Sequence, residues 1–298
     1  MTVVFYRPEM SVRTSSFSPS ADKPRKVVQD WLTHRRTAHC RPEIRAFEAA
    51  SSQELSLVHA EQYVLDVLAG ERNNGFGNAS LDVAAACRYT CGSMVAAALY
   101  SLQERRNSCS PTSGFHHAGY GFGGGFCTFN GLVLAALMAI RAGAAKVIIL
   151  DLDYHDGNGT RDIIDRLRLA AKVEHRSGGE HRLRDKAAVY DFIRSSLRKG
   201  ADLLLYQAGA DMHEDDPLGG VRGMNTREMM RRDDCVFTTA CRLRLPVAWN
   251  LAGGYQQSAR GSIRPLLTIH RNTYLCSLQD GAHDAPVNMG GEDEQGGG

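Results

Sequence analysis

Several features that would assign this chain to a specialised class of protein are missing from its 298 residues. None of the eight cysteines forms a Cys-x-x-Cys pair, and no Cys/His pair follows Cys87 and Cys91 at zinc-finger spacing. We therefore expect free thiols in a reducing compartment. The formal net charge is only +2, and the scattered basic residues are not interleaved with aromatic residues. The sequence thus predicts no direct contact with nucleic acid.

Long hydrophobic runs are also scarce. The longest, residues 132–140, is far too short to cross a bilayer. The N-terminus has no charged segment followed by a long apolar stretch, which a secretory signal would require. We therefore expect a globular protein of the cytoplasm that has no membrane partner.

Three continuous apolar stretches, separated by helical patterns, indicate an α/β fold with a parallel sheet covered on both faces. The three stretches are residues 146–153, 201–207 and 246–251, and residues 3–6 form a shorter first strand. Apolar periodicity predicts helices over residues 24–37, 55–68, 81–102, 130–141, 187–198 and 226–241. Turn residues and charge predict loops over residues 73–78, 110–126 and 174–186.

Each of the three apolar strands ends in polar residues or glycines. Asp151 and Asp153 end the first and His155 follows it, Asp211 follows the second, and Tyr255 follows the third. The carboxyl ends of neighbouring parallel strands share one edge of a sheet, which is where ligands bind in open α/β sheets. The sequence therefore predicts that these side chains form one site.

Two carboxylates and one imidazole in this cluster are suited to binding a metal ion. Asp153 and His155 are two positions apart in an extended stretch, so both side chains point to the same side. Asp211 would supply a third ligand. Three protein ligands and an open position are typical of a catalytic Zn²⁺ site, where a bound water becomes a nucleophile near neutral pH.

Further candidate catalytic residues lie near these strands. The tandem histidines His116 and His117 could act as general base and as charged electrostatic partner beside such a water. Tyr255, after two glycines, could donate a hydrogen bond to a developing oxyanion. The glycine-rich run 119–125 lacks the Gly-Lys-Ser/Thr ending of a phosphate-binding loop, which argues against nucleotide chemistry.

Five motifs, in this order and spacing, resemble the histone deacetylase family, most closely its bacterial amidohydrolases, over roughly residues 1–275. The motifs are Ser113-Gly-Phe-His-His-Ala118, Gly125-Phe-Cys-Thr-Phe-Asn130, Asp151-Leu-Asp-Tyr-His-Asp-Gly-Asn-Gly159, Gly209-Ala-Asp211 with Asp216-Pro-Leu-Gly-Gly220, and Ala252-Gly-Gly-Tyr255. The resemblance implies a single-domain arginase/deacetylase-like fold, with a parallel sheet of about eight strands between helices. It also implies a catalytic domain over residues 1–280, and we expect residues 281–298 to be a disordered tail.

The resemblance assigns roles to individual residues. Asp153, His155 and Asp211 match the zinc ligands, and Tyr255 matches the tyrosine that polarises the substrate carbonyl. His117 matches the base that activates water, and Asn158 occupies the position of its partner. The carboxylate that partners His116 is matched by Asp151. Phe126, with its neighbour Gly125, matches one wall of the channel around the acyl-lysine stem. Backbone carbonyls near Asp151 and Asp153 often hold K⁺ in this family.

The chain departs from the family pattern at two places. Asp156 follows the ligand histidine, where relatives often carry His or Tyr. The loop 175–183 contains no residue that matches the second aromatic wall of the channel, so this wall is either missing or supplied from elsewhere, with Phe76 as a candidate. Both departures affect substrate preference more than the chemistry.

The implied function is hydrolysis of an acyl-lysine amide in a protein or peptide by a zinc-bound water. Deacetylation of a small acylated amine, as by acetylpolyamine deacetylases, is the main alternative. An arginase-like ureohydrolase would need a second set of metal ligands, which Asp156 and His213 do not reproduce. A metal-binding scaffold without activity would not need His116, His117 and Tyr255. The sequence is compatible with a homo-oligomer, and it leaves the acyl-chain preference open.

Overall fold

A computed structural model describes residues 2–13, 18–178 and 186–279 of the chain. The expected tail 281–298 lies outside the described residues, as does most of the loop predicted over residues 174–186. In the described residues, strands alternate with helices in chain order. The elements are β1 (Val3–Phe5), α1 (Lys23–Thr33), β2 (Glu43–Arg45), α2 (Ser52–Leu55), α3 (Glu61–Ala69), α4 (Leu81–Glu104), β3 (Ser108–Ser113), α5 (Gly131–Arg141), β4 (Lys146–Asp151), α6 (Asn158–Arg166), β5 (Val173–Ser177), α7 (Lys186–Arg198), β6 (Ala201–Gly209), α8 (Thr226–Arg242), β7 (Val247–Ala252) and α9 (Arg264–Ser277).

The strands form one parallel sheet, as the apolar pattern predicts. Its seven described strands lie in the order β2-β1-β3-β7-β6-β4-β5, close to the number that the resemblance implies. The three long apolar strands β7, β6 and β4 are neighbours at the centre of this order. All pairings are parallel, so the carboxyl ends of these strands share one edge.

Each face of the sheet packs against its own hydrophobic core. On β4, Val147 and Ile149 belong to the core beneath α4 and α5, whereas Ile148 and Leu150 belong to the core beneath α7 and α8. Alternate side chains of a strand point to opposite faces, which is why these strands are continuously apolar.

The predicted helix 55–68 is divided in the structure. Helix α2 ends at Leu55 and α3 begins at Glu61. Between them His59 turns into the core, and the amide of Ala60 donates to the Tyr120 carbonyl at 2.8 Å. The amide of Ala60 thus makes a tertiary hydrogen bond in place of one within a helix. Apolar periodicity does not reveal such a break.

The prediction of a loop from residue 174 is wrong for its first residues, because β5 extends to Ser177. In the part of the chain that the structure describes, this strand lies at the edge of the sheet and pairs with β4 alone, so its charged side chains reach solvent without breaking the strand. Over the described ranges, no helix combines the length and the apolarity needed to cross a membrane.

Candidate active site

The predicted site residues meet at the carboxyl edge of the sheet. Asp151 is the last residue of β4, and Asp153 and His155 follow it directly. Asp211 lies just beyond β6, and the tandem histidines follow β3. Because β3, β7, β6 and β4 lie side by side in this order in one parallel sheet, segments far apart in sequence are brought to one place.

Three side chains form a compact set of potential metal ligands. One ligand atom each of Asp153, His155 and Asp211 lies within 4.8 Å of the others. Nδ1 of His155 is 3.2 Å from Oδ1 of Asp153 and 2.9 Å from Oδ2 of Asp211. Both carboxylates are buried, while the imidazole is half-buried. The set therefore opens toward solvent on the side of the histidine.

The charges of this set call for a cation. Burial, followed by the charge of nearby Asp153, raises the pKa of Asp211 to about 7. Two buried carboxylates so close together are unfavourable unless a positive charge lies between them. Aspartate oxygens and an imidazole nitrogen are ligands that Zn²⁺ accepts in a tetrahedral arrangement. The side chains of Asp153, His155 and Asp211 are therefore a suitable ligand set for a zinc ion.

His116 lies deep in the site and is paired with Asp151. Nδ1 of His116 is 2.6 Å from Oδ2 of Asp151, and its Nε2 is 3.6 Å from Oδ1 of Asp153. Burial alone would lower the pKa of His116, but the charges of the two carboxylates outweigh it and raise the pKa to about 9. In this environment the imidazole favours its charged form.

His117 has a different environment. Its Nδ1 is 2.7 Å from the amide oxygen Oδ1 of Asn158, which carries no charge. Burial and the neighbouring charge of His116 lower the pKa of His117. The two rings are adjacent, with centroids 4.1 Å apart, yet they favour opposite protonation states. Gly125 lies against the His117 ring, since a Cβ atom there would be 2.4 Å from Cδ2.

Phe126 packs between Tyr255 and Phe76. The ring centroid of Phe126 is 5.6 Å from that of Tyr255 and 5.6 Å from that of Phe76. Phe76 therefore contacts Phe126 directly and leaves no space for a substrate stem between the two rings. The suggestion that Phe76 forms the opposite wall is not supported, and residues 179–185 of the other candidate loop lie outside the described residues.

Two residues considered for a second metal ion are engaged elsewhere. Asp156 pairs with Arg161 at 2.5 Å on the surface. Nε2 of His213 is 3.0 Å from Oγ1 of Thr226, and its Nδ1 accepts a hydrogen bond from the Asp215 amide. Neither side chain adds to the Asp153–His155–Asp211 set.

Sequence analysis missed several residues that support the site. Lys23, from α1, is fully buried and donates a hydrogen bond from Nζ to the Gly253 carbonyl. Asp216 accepts the amide of Tyr255 at 2.7 Å, and Gln207 donates to Oδ1 of Asp151 at 2.9 Å. A glutamine inside the apolar β6 stretch was a signal of a polar role. Asp216 lies in the fourth family motif, but no role was assigned to it. Lys23 gave no comparable signal, because its contact is purely tertiary.

A family model described as the histone deacetylase domain matches residues 19–175, which is more than half of the chain. The sequence is 30% identical to histone deacetylase 2 of Arabidopsis thaliana over 193 residues, covering 56% of this chain and 49% of that protein. It is 29% identical to acetylpolyamine amidohydrolase 1 of Pseudomonas aeruginosa over 184 residues, covering 51% of each. The matches span about half the length of these relatives.

The fold is similar to a solved structure described as the HDA15 HD domain. The TM-score is 0.75, and the match covers 93% of this chain and 91% of that one. Sequence identity in this comparison is 21%, so the similarity concerns the fold. It agrees with the single parallel sheet between helices described above.

Proposed function

Because this chain belongs to the histone deacetylase family, we propose that it is a zinc-dependent amidohydrolase that removes an acetyl or other acyl group from an amine. One observation carries the proposal. The ligand set Asp153, His155 and Asp211 lies beside an imidazole pair whose members favour opposite protonation states. Amide hydrolysis needs both a proton acceptor and a positive charge near the reacting carbonyl.

Asp153, His155 and Asp211 would hold the zinc ion. When bound, Zn²⁺ supplies Lewis acidity, which polarises the acyl carbonyl and lowers the pKa of water. The two carboxylates balance its charge, and the half-buried His155 leaves the open side of the set to the substrate. We also expect K⁺ near the backbone carbonyls of Asp151 and Asp153, as the family resemblance implies.

The two tandem histidines would divide the proton transfers. Nε2 of His117 accepts a proton from the attacking water and delivers it to the nitrogen of the leaving amine. This requires a neutral ring, which its lowered pKa and its amide partner Asn158 favour. His116, held charged by Asp151, stabilises the negative charge that develops on the carbonyl oxygen.

Tyr255 would complete the stabilisation of the oxyanion. Burial and the nearby carboxylates raise the pKa of its hydroxyl far above the usual range, so it remains a proton donor. Its amide is fixed by Asp216, and its ring packs against Phe126. Phe126, beside Gly125, would line the substrate stem from one side.

The lysine side-chain amine of a protein or peptide is the substrate that we propose. An acetylpolyamine is the second candidate, because a relative named acetylpolyamine amidohydrolase is as similar as one named histone deacetylase. Both substrates present an acylated amine on a methylene chain, which Phe126 can contact. Values of kcat/KM for acetyl-lysine peptides, free acetyl-lysine and acetylpolyamines would separate the two classes.

Metal content tests the proposal directly. Purified protein should contain about one equivalent of zinc, and Asp211→Ala and His155→Ala should each lose the metal and the deacetylase activity. Asp156→Ala is a matched control, because Asp156 adjoins a ligand but pairs with Arg161 on the surface. Unchanged metal content in both ligand variants would refute the assignment.

A further inference from the structure

Asp151 has a second imidazole beside it that belongs to none of the motifs. His175, on the edge strand β5, places Nε2 at 4.0 Å from Oδ2 of Asp151. The His175 side chain is only 7% exposed. Its Nε2 is buried and has no hydrogen-bond partner among the described residues. A buried, unpaired polar atom is uncommon in native proteins and suggests a role at this position.

The other contacts of Asp151 show what His175 adds. Oδ1 accepts hydrogen bonds from Nε2 of Gln207 at 2.9 Å and from the amide of Asp153 at 3.2 Å. Oδ2 accepts a hydrogen bond from Nδ1 of His116. Oδ2 retains a second lone pair, and His175 is the ionisable side chain that faces this oxygen from the β5 side. The imidazole therefore lies next to the oxygen that holds His116.

Gly157 permits this arrangement. A Cβ atom at position 157 would lie 2.8 Å from Cε1 of His175 and 2.9 Å from Oδ2 of Asp151. The amide of Gly157 is fixed by a hydrogen bond to Oγ of Ser177 at 2.9 Å, also on β5. The backbone of Gly157 thus packs against both the imidazole of His175 and the carboxylate of Asp151. Any larger residue at position 157 would push these two side chains apart.

His175 lies on the strand next to that of Asp151, at the edge of the described sheet. Among the described strands, β5 is the last in the sheet order and pairs with β4 alone. Asp151 itself is completely buried. A smaller side chain at position 175 would leave a path along this edge, and water entering it would compete with His116 for Oδ2.

On the basis of the proposed function, we propose that His175 is a positioning residue. Its ring keeps water from Oδ2 of Asp151 and directs Nε2 toward that oxygen, so that the carboxylate stays fixed on His116. His175 does not touch the substrate or the metal ligands. Its effect on the reaction passes through Asp151 to the charged imidazole of His116.

The test uses the His116 Nδ1 proton, which reports on the hydrogen bond to Asp151 without requiring activity. We would record proton NMR spectra of the full chain, labelled with ¹⁵N-histidine, with and without added zinc, and assign the signal with His116→Gln. The variants are His175→Ala, His175→Asn and His175→Gln. The amide nitrogen of Gln reaches about as far from Cα as Nε2, whereas that of Asn reaches only as far as Nδ1.

We expect the Ala and Asn variants to move the His116 signal upfield and to speed its exchange with solvent, while the Gln variant retains the wild-type signal. An unchanged signal in all three variants would overturn the proposal. Loss of the signal in all three variants would also contradict the proposal. The Gln variant keeps a nitrogen near the position of Nε2, so its failure would mean that the imidazole at position 175 has only a structural role. Signals of the buried indoles of Trp31 and Trp249 check that each variant is folded.

Two further measurements test the inference separately from the stability of the variants and from the proposed function. Gly157→Ala approaches the same contact from the other side and should displace the His116 signal in the same direction. In active protein, His175→Asn should lower kcat about tenfold, which is the low end for residues that support a site indirectly. KM should be unchanged, and His175→Gln should restore kcat. An altered NMR signal without deacetylase activity in the wild type would refute only the proposed function.

Discussion

At the scale of single residues, the site depends on side chains whose environments differ sharply over a few ångströms. His116 and His117 are adjacent in sequence, yet one faces a buried carboxylate and the other an amide oxygen. Burial lowers the pKa of both rings, but the carboxylate charges near His116 outweigh it there, so the neighbouring rings favour opposite protonation states. Tandem histidines can therefore provide an acid and a base at the same pH.

This difference predicts unequal effects of substitution. His117→Ala should abolish turnover of every substrate, because the proton acceptor is lost. His116→Ala should harm an activated trifluoroacetyl-lysine substrate less than acetyl-lysine, since the activated carbonyl needs less electrostatic help. The measurement is the ratio of kcat/KM for the two substrates in each variant. A ratio that is equal in both variants, or that rises only in the His117 variant, would show that the roles are assigned wrongly.

Tyr255 gives a second residue-scale prediction. Tyr255→Phe should keep zinc content and hydroxamate affinity but lower kcat by about 100- to 1,000-fold, the usual effect of removing one oxyanion donor. The ring contact with Phe126 survives this change, so the active site should keep its shape. Near wild-type kcat in this variant would exclude Tyr255 from the mechanism.

At the scale of elements, α1 fixes the loop that follows β7. Lys23 lies at the first turn of α1 and donates to the carbonyl of Gly253, two residues before Tyr255. Its Nζ also lies 6.0 Å from the centroid of the Tyr255 ring. Burial lowers the pKa of Lys23 to about 8, although the nearby Asp211 and Asp216 favour its charged form. The lysine therefore connects a helix on one face of the sheet to the loop that carries Tyr255.

Lys23→Met should loosen this loop without unfolding the protein. The substitution removes a costly buried charge together with its hydrogen bond, so the change in unfolding free energy should be small. We expect kcat to fall about tenfold, by analogy with other supporting contacts. Lys26→Met is the control on the same helix, because Lys26 pairs with Asp22 at the surface. Equal kcat values for the two variants would show that Lys23 does not support Tyr255.

At the scale of the whole molecule, His59 joins three segments of the core. Its Nδ1 is 2.8 Å from the Gly119 carbonyl, and its Nε2 accepts the amide of Asn130 at 2.9 Å. Asn130 in turn caps α5 and donates to the Ala118 carbonyl beside His117. His59 therefore has a structural role, and it supports the segment that carries His116 and His117.

Protonation of His59 should destabilise the fold in acid. Burial lowers its pKa to about 4, whereas an unfolded histidine has a pKa of about 6.5. Its contribution, about 3 kcal/mol by linkage, is complete above pH ~6.5 and is lost as the pH falls through ~4. Urea unfolding of wild type and His59→Gln between these pH values should show the difference in unfolding free energy shrinking toward low pH. A constant difference for His59→Gln would contradict the prediction.

The amino-acid sequence by itself determined three neighbouring strands of the sheet and the cluster of candidate metal ligands at their carboxyl ends. Continuous apolar strands must be buried on both faces, and polar residues at their carboxyl ends must then meet at one edge. This is why β4, β6 and β7 and the set Asp153, His155 and Asp211 could be identified from pattern and order alone. Both depend on local periodicity and on a general rule of parallel sheets.

Only the tertiary structure decided which other residues support the site. Lys23 and Gly253 are 230 positions apart, and His175 meets Asp151 across two strands whose pairing no local pattern specifies. The break at His59 and the contact between Phe76 and Phe126 likewise depend on how distant segments pack. Periodicity records which face of an element is buried, whereas the identity of its neighbours is fixed by the fold as a whole.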